Sequence, residues 1–310
     1  MRRTILHLCY HPDYVVPRFQ NGALLPDKYM SVLAALRASG IALTLHEPEP
    51  MPAEWISAVH DPDYVDQVLC ARVPPEKERR IGYPITPAIA RRSRLTVGGT
   101  FLAARLALVH GYAANCAGGS HHALPDTGAG YCVLNDLAIT ANRLIAEGDA
   151  ERILILDLDV HQGDGTAVLT AGRDEIFTLS LHAERNFPVR KARSSLDVPL
   201  ADGLGDDAYL EILGRTLTPV LDDFAPDLIL YQAGVDPHRD DRLGRLGLSG
   251  EGLLARDRLV MAAATRRGLP LASTLGGGYG ADMHEIAGRH AAAMIALAKA
   301  AAMASRAEQA

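Results

Sequence analysis

The chain has 310 residues, 48% hydrophobic and 22% charged, which excludes collagen, a coiled coil and disorder as its main state. Asp plus Glu number 37 against 31 Lys plus Arg, and the net charge of −6 argues against direct nucleic-acid binding or whole-surface attraction to an anionic membrane. No apolar run reaches the ~18 to 20 residues of a membrane span, and the start MRRTILHLCYHPDY is too short in apolar residues for a secretory signal. Cys9, Cys70, Cys116 and Cys132 form no CxxC pair, which fits a reducing compartment, so a cytoplasmic protein is expected.

In chain order the periodicity predicts a strand at Thr4–Leu8, a helix at Asp27–Ala38, a strand at Ala42–Leu45 and a long helix at Pro87–His110. A helix at Asn135–Glu147 and strands at Ile153–Leu156 and Ile176–Leu181 follow. Next come a helix at Asp206–Asp223, a strand at Leu228–Tyr231, a helix at Gly250–Arg267, a strand at Leu269–Leu275 and an Ala-rich helix at Asp282–Ala304. The continuous run Ile153-Leu154-Ile155-Leu156 is that of a strand covered on both faces. Alternating strands and helices imply an α/β protein, a three-layer α/β/α domain around a mostly parallel sheet. With no repeat or low-complexity linker, residues 1–310 read as one domain, in which Glu47–Pro52 and Pro74–Arg80 are loops. The charge runs Lys77–Arg80, Arg91–Arg94 and Arg190–Arg193 read as solvated faces without a partner.

Ligands of open parallel sheets bind beyond the carboxyl ends of the strands, so what each strand runs into matters. The Ile153 strand enters Asp157-Leu158-Asp159-Val160-His161, placing Asp157, Asp159 and His161 at period 2, on one face while the chain stays extended. Other strand ends deliver Gly234-Val235-Asp236, Gly276-Gly277-Gly278-Tyr279 and, after Ala114, Gly118-Gly119-Ser120-His121-His122. Each alone has a bland reading as cap, turn or packing residue. Together they do not, because core packing has no use for polar groups gathered at one edge. Asp159, His161 and Asp236 offer two carboxylates and one imidazole, a three-ligand set that leaves metal positions open for water and substrate. Zn2+ is the first expectation, and the oxygen-rich set also admits Fe2+ or Co2+. With an adjacent His to move the proton and Tyr279 to donate to an oxyanion, the reaction class is metal-assisted amide hydrolysis.

These stretches resemble the histone deacetylase superfamily, which has the arginase/deacetylase fold. The resemblance is carried by Gly118–Ala123, Gly130-Tyr131-Cys132-Val133-Leu134-Asn135-Asp136, Asp157–Thr166, Ser180-Leu181-His182, Ala233–Asp236, Asp241–Gly244 and Gly276–Tyr279, with His60–Val65 as an N-terminal signature. It spans nearly the whole chain in order. It implies that Asp159, His161 and Asp236 ligate Zn2+. His122 would be general base and then acid, oriented by Asp164, and His121 its electrostatic partner, paired with Asp157. These carboxylates would raise imidazole basicity. Tyr279 would stabilise the tetrahedral intermediate. Tyr131 and Phe187, with Gly130 and Gly278, would line the acyl-lysine tunnel. Asp157, Asp159, His161, Ser180 and Leu181 would form a structural K+ site.

Two departures stand out: Gln162 replaces a second His, as in class IV and bacterial members, and Tyr131 replaces the more usual Phe. The additional ligands of the two-manganese arginases are absent, so one catalytic metal is expected. The leading expectation is a Zn-dependent deacylase acting on acyl-lysine in proteins. An acetylpolyamine or other small-molecule amidohydrolase is the alternative, and an inert acyl-lysine-binding protein is disfavoured because the ligands, His pair and Tyr279 are all present.

Overall fold

The computed structural model describes residues 4–15 and 28–307. The elements are β1 Ile5–Cys9, α1 Lys28–Ala38, β2 Ala42–His46, α2 Ala53–Ser57, α3 Pro62–Leu69, α4 Pro75–Ile81, α5 Pro87–His110, β3 Tyr112–Asn115 and α6 Asp136–Glu147. They continue with β4 Ile153–Asp157, α7 Asp164–Leu169, β5 Ile176–Ala183, β6 Leu196–Leu200, α8 Asp206–Phe224, β7 Leu228–Gln232, α9 Gly250–Thr265, β8 Leu271–Thr274 and α10 Met283–Ala307. Each expected strand and helix is present, with ends shifted by a few residues. Asp27, the expected start of α1, lies outside the described residues.

The eight strands form one sheet in the order β2-β1-β3-β8-β7-β4-β5-β6. Every pairing is parallel. All five residues of β4 are buried, as its unbroken apolar run requires, and its side chains alternate between two cores. Leu154 and Leu156 face a core shared with α1, α8, α9 and α10, whereas Ile153 and Ile155 face one shared with α5 and α6. The result is the three-layer α/β/α arrangement. Burying each such aliphatic side chain contributes about 1.5 to 3 kcal/mol.

Two readings of the sequence are corrected. Pro74–Arg80 is not a loop: residues 75 to 81 form α4, with Pro75 in the first turn, where its missing N–H costs nothing. Arg91–Arg94 is not a solvated face. Arg91 Nε pairs with Asp13 at 2.6 Å, Arg94 Nε donates to the Met51 carbonyl at 2.8 Å, and Arg92 is buried with Nη2 donating to the Tyr29 hydroxyl at 2.5 Å. Successive helix residues point about 100° apart, so a run of arginines cannot share one face. From the other two runs, Lys77 Nζ donates to Gln67 Oε1 at 3.0 Å and Lys191 Nζ to the Asn186 carbonyl at 2.6 Å.

His60, just before α3, pins the loop that carries the later site residues. Its Nδ1–H donates to the Leu124 carbonyl at 2.9 Å and its Nε2 accepts the Asn135 N–H at 3.0 Å. Asn135 in turn caps α6, its side chain accepting the Ala138 N–H at 2.9 Å. Burial holds His60 neutral and lowers its pKa to about 4. The unfolded chain therefore binds a proton near pH 6.5 that the native state refuses, and stability falls as pH drops from about 6.5 to 4, by about 3 kcal/mol at most from this group. Urea unfolding of wild type and His60→Gln across that window should show the wild type losing stability relative to the variant as pH falls. Parallel profiles would refute the neutral, two-bond role.

Candidate active site

The exits of β4 and β7 bring three metal-capable side chains to one buried point. One donor atom each from Asp159, His161 and Asp236 lies within 4.8 Å of the others. His161 Nδ1 is 2.9 Å from Asp159 Oδ1 and 3.2 Å from Asp236 Oδ2. Backbone amides fix the carboxylates: Gly277 N–H donates to Asp159 Oδ2 at 2.7 Å and Val160 N–H to Asp236 Oδ1 at 2.9 Å. A Cβ on Gly277 would collide with the Asp236 carboxylate, so only glycine allows this approach. Burial and the Asp159 charge push the Asp236 carboxyl up to about 7. Burial opposes the His161 cation, yet its bonds to Asp159 and Asp236 lift it to about 10. The spot thus stabilises positive charge strongly enough to overcome desolvation, and its two carboxylates and imidazole fit a divalent ion.

Asp157 does not join that triad. Its Oδ2 lies 2.7 Å from His121 Nδ1 and its Oδ1 accepts the Asp159 N–H at 3.1 Å, because the chain bends as it leaves the sheet. His122 Nδ1 lies 2.6 Å from Asp164 Oδ1. The two imidazoles are adjacent, with centroids 4.0 Å apart, but their charge states differ. Burial disfavours the His121 cation, and Asp157 and Asp159 override it and raise the pKa to about 9. For His122, burial and then the His121 charge win over Asp164 and lower it to about 4. The expected gain in His122 basicity from its carboxylate partner is therefore outweighed. Burial and the charges of Asp159 and Asp236 hold the Tyr279 phenol well above its ordinary pKa, so it stays a hydrogen-bond donor.

His121, His122, Asp159, His161 and Tyr279 line one cavity of about 460 Å³, together with Gly130, Tyr131, Phe187 and Gly278, while Asp157, Asp164 and Asp236 reach it only through the residues they bond. The Phe187 ring meets His122 edge-on at 4.8 Å, and the Tyr131 and Tyr279 rings lie 6.0 Å apart. Gly130 and Tyr131 have φ of +51° and +67°, which glycine adopts freely and Tyr131 only under strain, in a turn that lines the cavity. A side chain on Gly130 would strike His122 and Phe187. The segments expected to hold K+ are adjacent: Asp157 lies opposite Ser180 in the β4–β5 register, and Ala183 N–H donates to the Val160 carbonyl at 2.9 Å. Gln162 has a structural use, bonding Ala192 O at 2.9 Å and Asp197 Oδ1 at 2.7 Å beneath the Phe187 loop.

Sequence reasoning missed the residues that hold this geometry. Asp136 accepts the Ser120 N–H at 2.7 Å and both its oxygens face the Gly119 N–H, fixing the turn before His121. Gln232 Nε2 donates to the Gly119 carbonyl at 2.9 Å. Asp241 accepts the Tyr279 N–H at 2.7 Å. Fully buried Arg256 donates to the Gly234 carbonyl at 2.7 Å and the Leu158 carbonyl at 3.3 Å, clamping the two ligand-bearing exits, and pairs with Asp257 at 2.9 Å. Asp136 and Asp241 sit inside recognisable motifs, but backbone-holding roles leave no spacing signature, and Arg256 has no signal at all.

Comparison with known proteins decides the family. The sequence pattern of the histone deacetylase domain matches residues 23–295. The chain belongs to the histone deacetylase family. It is 30% identical over 267 residues to the histone deacetylase-like amidohydrolase of Pseudomonas aeruginosa, covering 81% of this chain and 70% of that one. It is 30% identical to a probable deacetylase of Archaeoglobus fulgidus, covering 89% and 81% respectively. An uncharacterized protein of Picosynechococcus is 44% identical over 91% of this chain and 94% of its own. In fold, the acetylpolyamine aminohydrolase of Burkholderia pseudomallei superposes with a TM-score of 0.77 at 21% identity, over 94% of this chain and 98% of that one. As a histone deacetylase family member the chain is a hydrolase of amide bonds, in a metal-dependent family for which Asp159, His161 and Asp236 form the candidate metal triad.

Arg256→Met should cost about 3 to 5 kcal/mol, because it removes the cation from the buried Asp257 carboxylate, leaving it only the Tyr231 hydroxyl, and takes a donor from two carbonyls in the core. Denaturant unfolding measures this; a change below about 0.5 kcal/mol, the size of an ordinary surface substitution, would show that the clamp is not structural.

Proposed function

We propose that this chain, acting as one catalytic domain over residues 1–310, hydrolyses the amide of N-acyl-lysine to a free amine and a carboxylate. One observation carries the reading. A neutral imidazole, a protonated phenol and a three-donor metal site meet in a single cavity whose walls are Tyr131 and Phe187.

Asp159, His161 and Asp236 would hold the ion, with Zn2+ as the first choice and Fe2+ or Co2+ accepted by the same donors. When bound, such an ion polarises the amide carbonyl and acidifies water near neutral pH. Neutral His122, oriented through Nδ1 by Asp164, takes the proton of the attacking water and returns it to the leaving amine. His121, held as a cation by Asp157, supplies fixed positive charge next to it. Tyr279, its backbone anchored by Asp241, donates to the developing oxyanion. Tyr131, Phe187, Gly130 and Gly278 enclose the aliphatic stem and exclude water from it. The adjoining Asp157–His161 and Ser180–Leu181 segments would hold the proposed structural K+. Four free cysteines support a reducing, cytoplasmic location. Among the described residues, no helix is long and apolar enough to cross a membrane.

The direct test is a hydrolysis screen of the Zn-loaded protein on acetyl-lysine peptides, long-chain acyl-lysines and acetylated polyamines. Turnover on none of them would refute the reading. Tyr279→Phe removes a transition-state donor only, so kcat should fall about 100- to 1,000-fold with metal content and KM retained. Unchanged kcat would remove Tyr279 from the chemistry.

A further inference from the structure

The α4 arginines are solvent-exposed, as read from sequence, and they also belong to the cavity lining. Arg79 and Arg80 are exposed and line it at its solvent side, in a lining that also includes Asn186, Phe187 and Leu243. Their placement is fixed by backbone bonds: Gly130 N–H donates to the Arg80 carbonyl at 3.1 Å and Tyr131 N–H to the Ile81 carbonyl at 2.8 Å. The end of α4 is therefore stitched to the tunnel wall. Neither arginine forms an ion pair with a described residue, although Glu76 lies one helical turn earlier. Exposed arginines are commonly unpaired, so the surroundings matter more.

Among the described residues, Asp159 alone contributes a carboxylate to the cavity lining, and it belongs to the metal triad. Of the acidic groups on the elements around the cavity, Glu76 and Glu184 are exposed outside its lining, and others hold backbone or a distant arginine. Glu78 Oε1 accepts the Ile85 N–H at 2.7 Å, and Asp241 accepts the N–H groups of Leu243, Gly244 and Tyr279. Asp240 lies 3.9 Å from Arg289. On the opposite side, Lys191 Nζ donates to the carbonyls of Asn186 and Pro188, adding a cation behind Phe187. In a chain with net charge −6 the cavity lining thus holds Lys28, Arg79, Arg80 and Arg92 against the single carboxylate of Asp159.

The geometry points to an anionic substrate: an N-acyl amine bearing a carboxylate within reach of Arg79 and Arg80. The inference rests on the deacylase reading and narrows it, because a polycationic acylated polyamine meets two like charges at the mouth without a compensating carboxylate. The carboxylate comes either from acidic residues flanking the acyl-lysine or from the free α-carboxylate of the acyl-lysine itself. In both, two exposed guanidiniums at the cavity supply charge-assisted bonds and raise the encounter rate.

The test measures kcat/KM on matched acyl-lysine peptides flanked by Asp or by Lys, on free Nε-acyl-lysine and its α-carboxamide, and on an acetylated polyamine. Fluorescence anisotropy gives Kd for labelled forms of the two peptides. The Asp-flanked peptide, or the free acid over its amide, should be favoured by about tenfold, equivalent to ~1.4 kcal/mol. The preference should shrink as salt is raised. Which pair shows it identifies the source of the carboxylate. Arg79→Glu/Arg80→Glu should reverse the ratio and Arg79→Gln/Arg80→Gln should level it, while salt dependence in wild type tests the claim without any variant. Equal constants across the pairs, or a preference for Lys flanks or the polyamine, would overturn the inference. Absence of hydrolysis on every substrate would refute the deacylase reading instead; the Kd ratio would then decide the mouth's preference alone.

Discussion

Two carboxylates and an imidazole held together out of water are the constraint around which the rest is arranged. Charges of one sign buried side by side are tolerated only if a cation sits between them or one of them takes up a proton, and here Asp159 and Asp236 are both buried within one donor cluster. The fold meets that demand with rigid parts. Adjacent parallel strands β4 and β7 set the spacing of the two carboxylates, Gly277 brings a backbone amide where no side chain fits, and Arg256 ties both exits from below. The clamp lies in the core shared with α9, so the geometry of the site is coupled to the packing of the helical layer.

The same principle separates the two histidines. Both are buried, and burial alone would leave both neutral. His121 faces two carboxylates, and His122 faces one carboxylate and the charge of His121. One becomes a fixed positive charge and the other an available base, so adjacent residues of one type take different roles through their neighbours. Asp136 and Gln232 make this hold by fixing the glycine turn that delivers both rings.

Much of this was legible in the sequence where physics leaves a periodic trace. β4, β5 and β7 show as apolar runs because both faces are covered, and α5 shows at full length because Thr86 caps it and Pro87 opens it. β3, with the sequence YAAN, has no β-branched residue and shows only as a strand end at Ala114 ahead of the glycine turn, and β6 is an edge strand with a proline that does not read as a strand. α4 was hidden by Pro74-Pro75, which reads as a loop until the first-turn preference of proline is considered. In the site, residues delivered by strand ends and glycines could be named. Arg256, Asp136 and Gln232 could not, since a side chain that holds a distant backbone amide or carbonyl has no local pattern. Arg79 and Arg80 were visible only as charge, and their position beside Tyr131 depends on a tertiary contact.

Every role assigned to the site depends on the buried triad being a metal centre. Elemental analysis of wild type and Asp236→Ala, each loaded with Zn2+ and dialysed, tests it most directly. About one ion per chain in wild type and a loss of most of it in the variant, with the fold intact by circular dichroism, is the predicted result. Equal metal content in the two proteins would contradict the ligand assignment and the mechanism built on it.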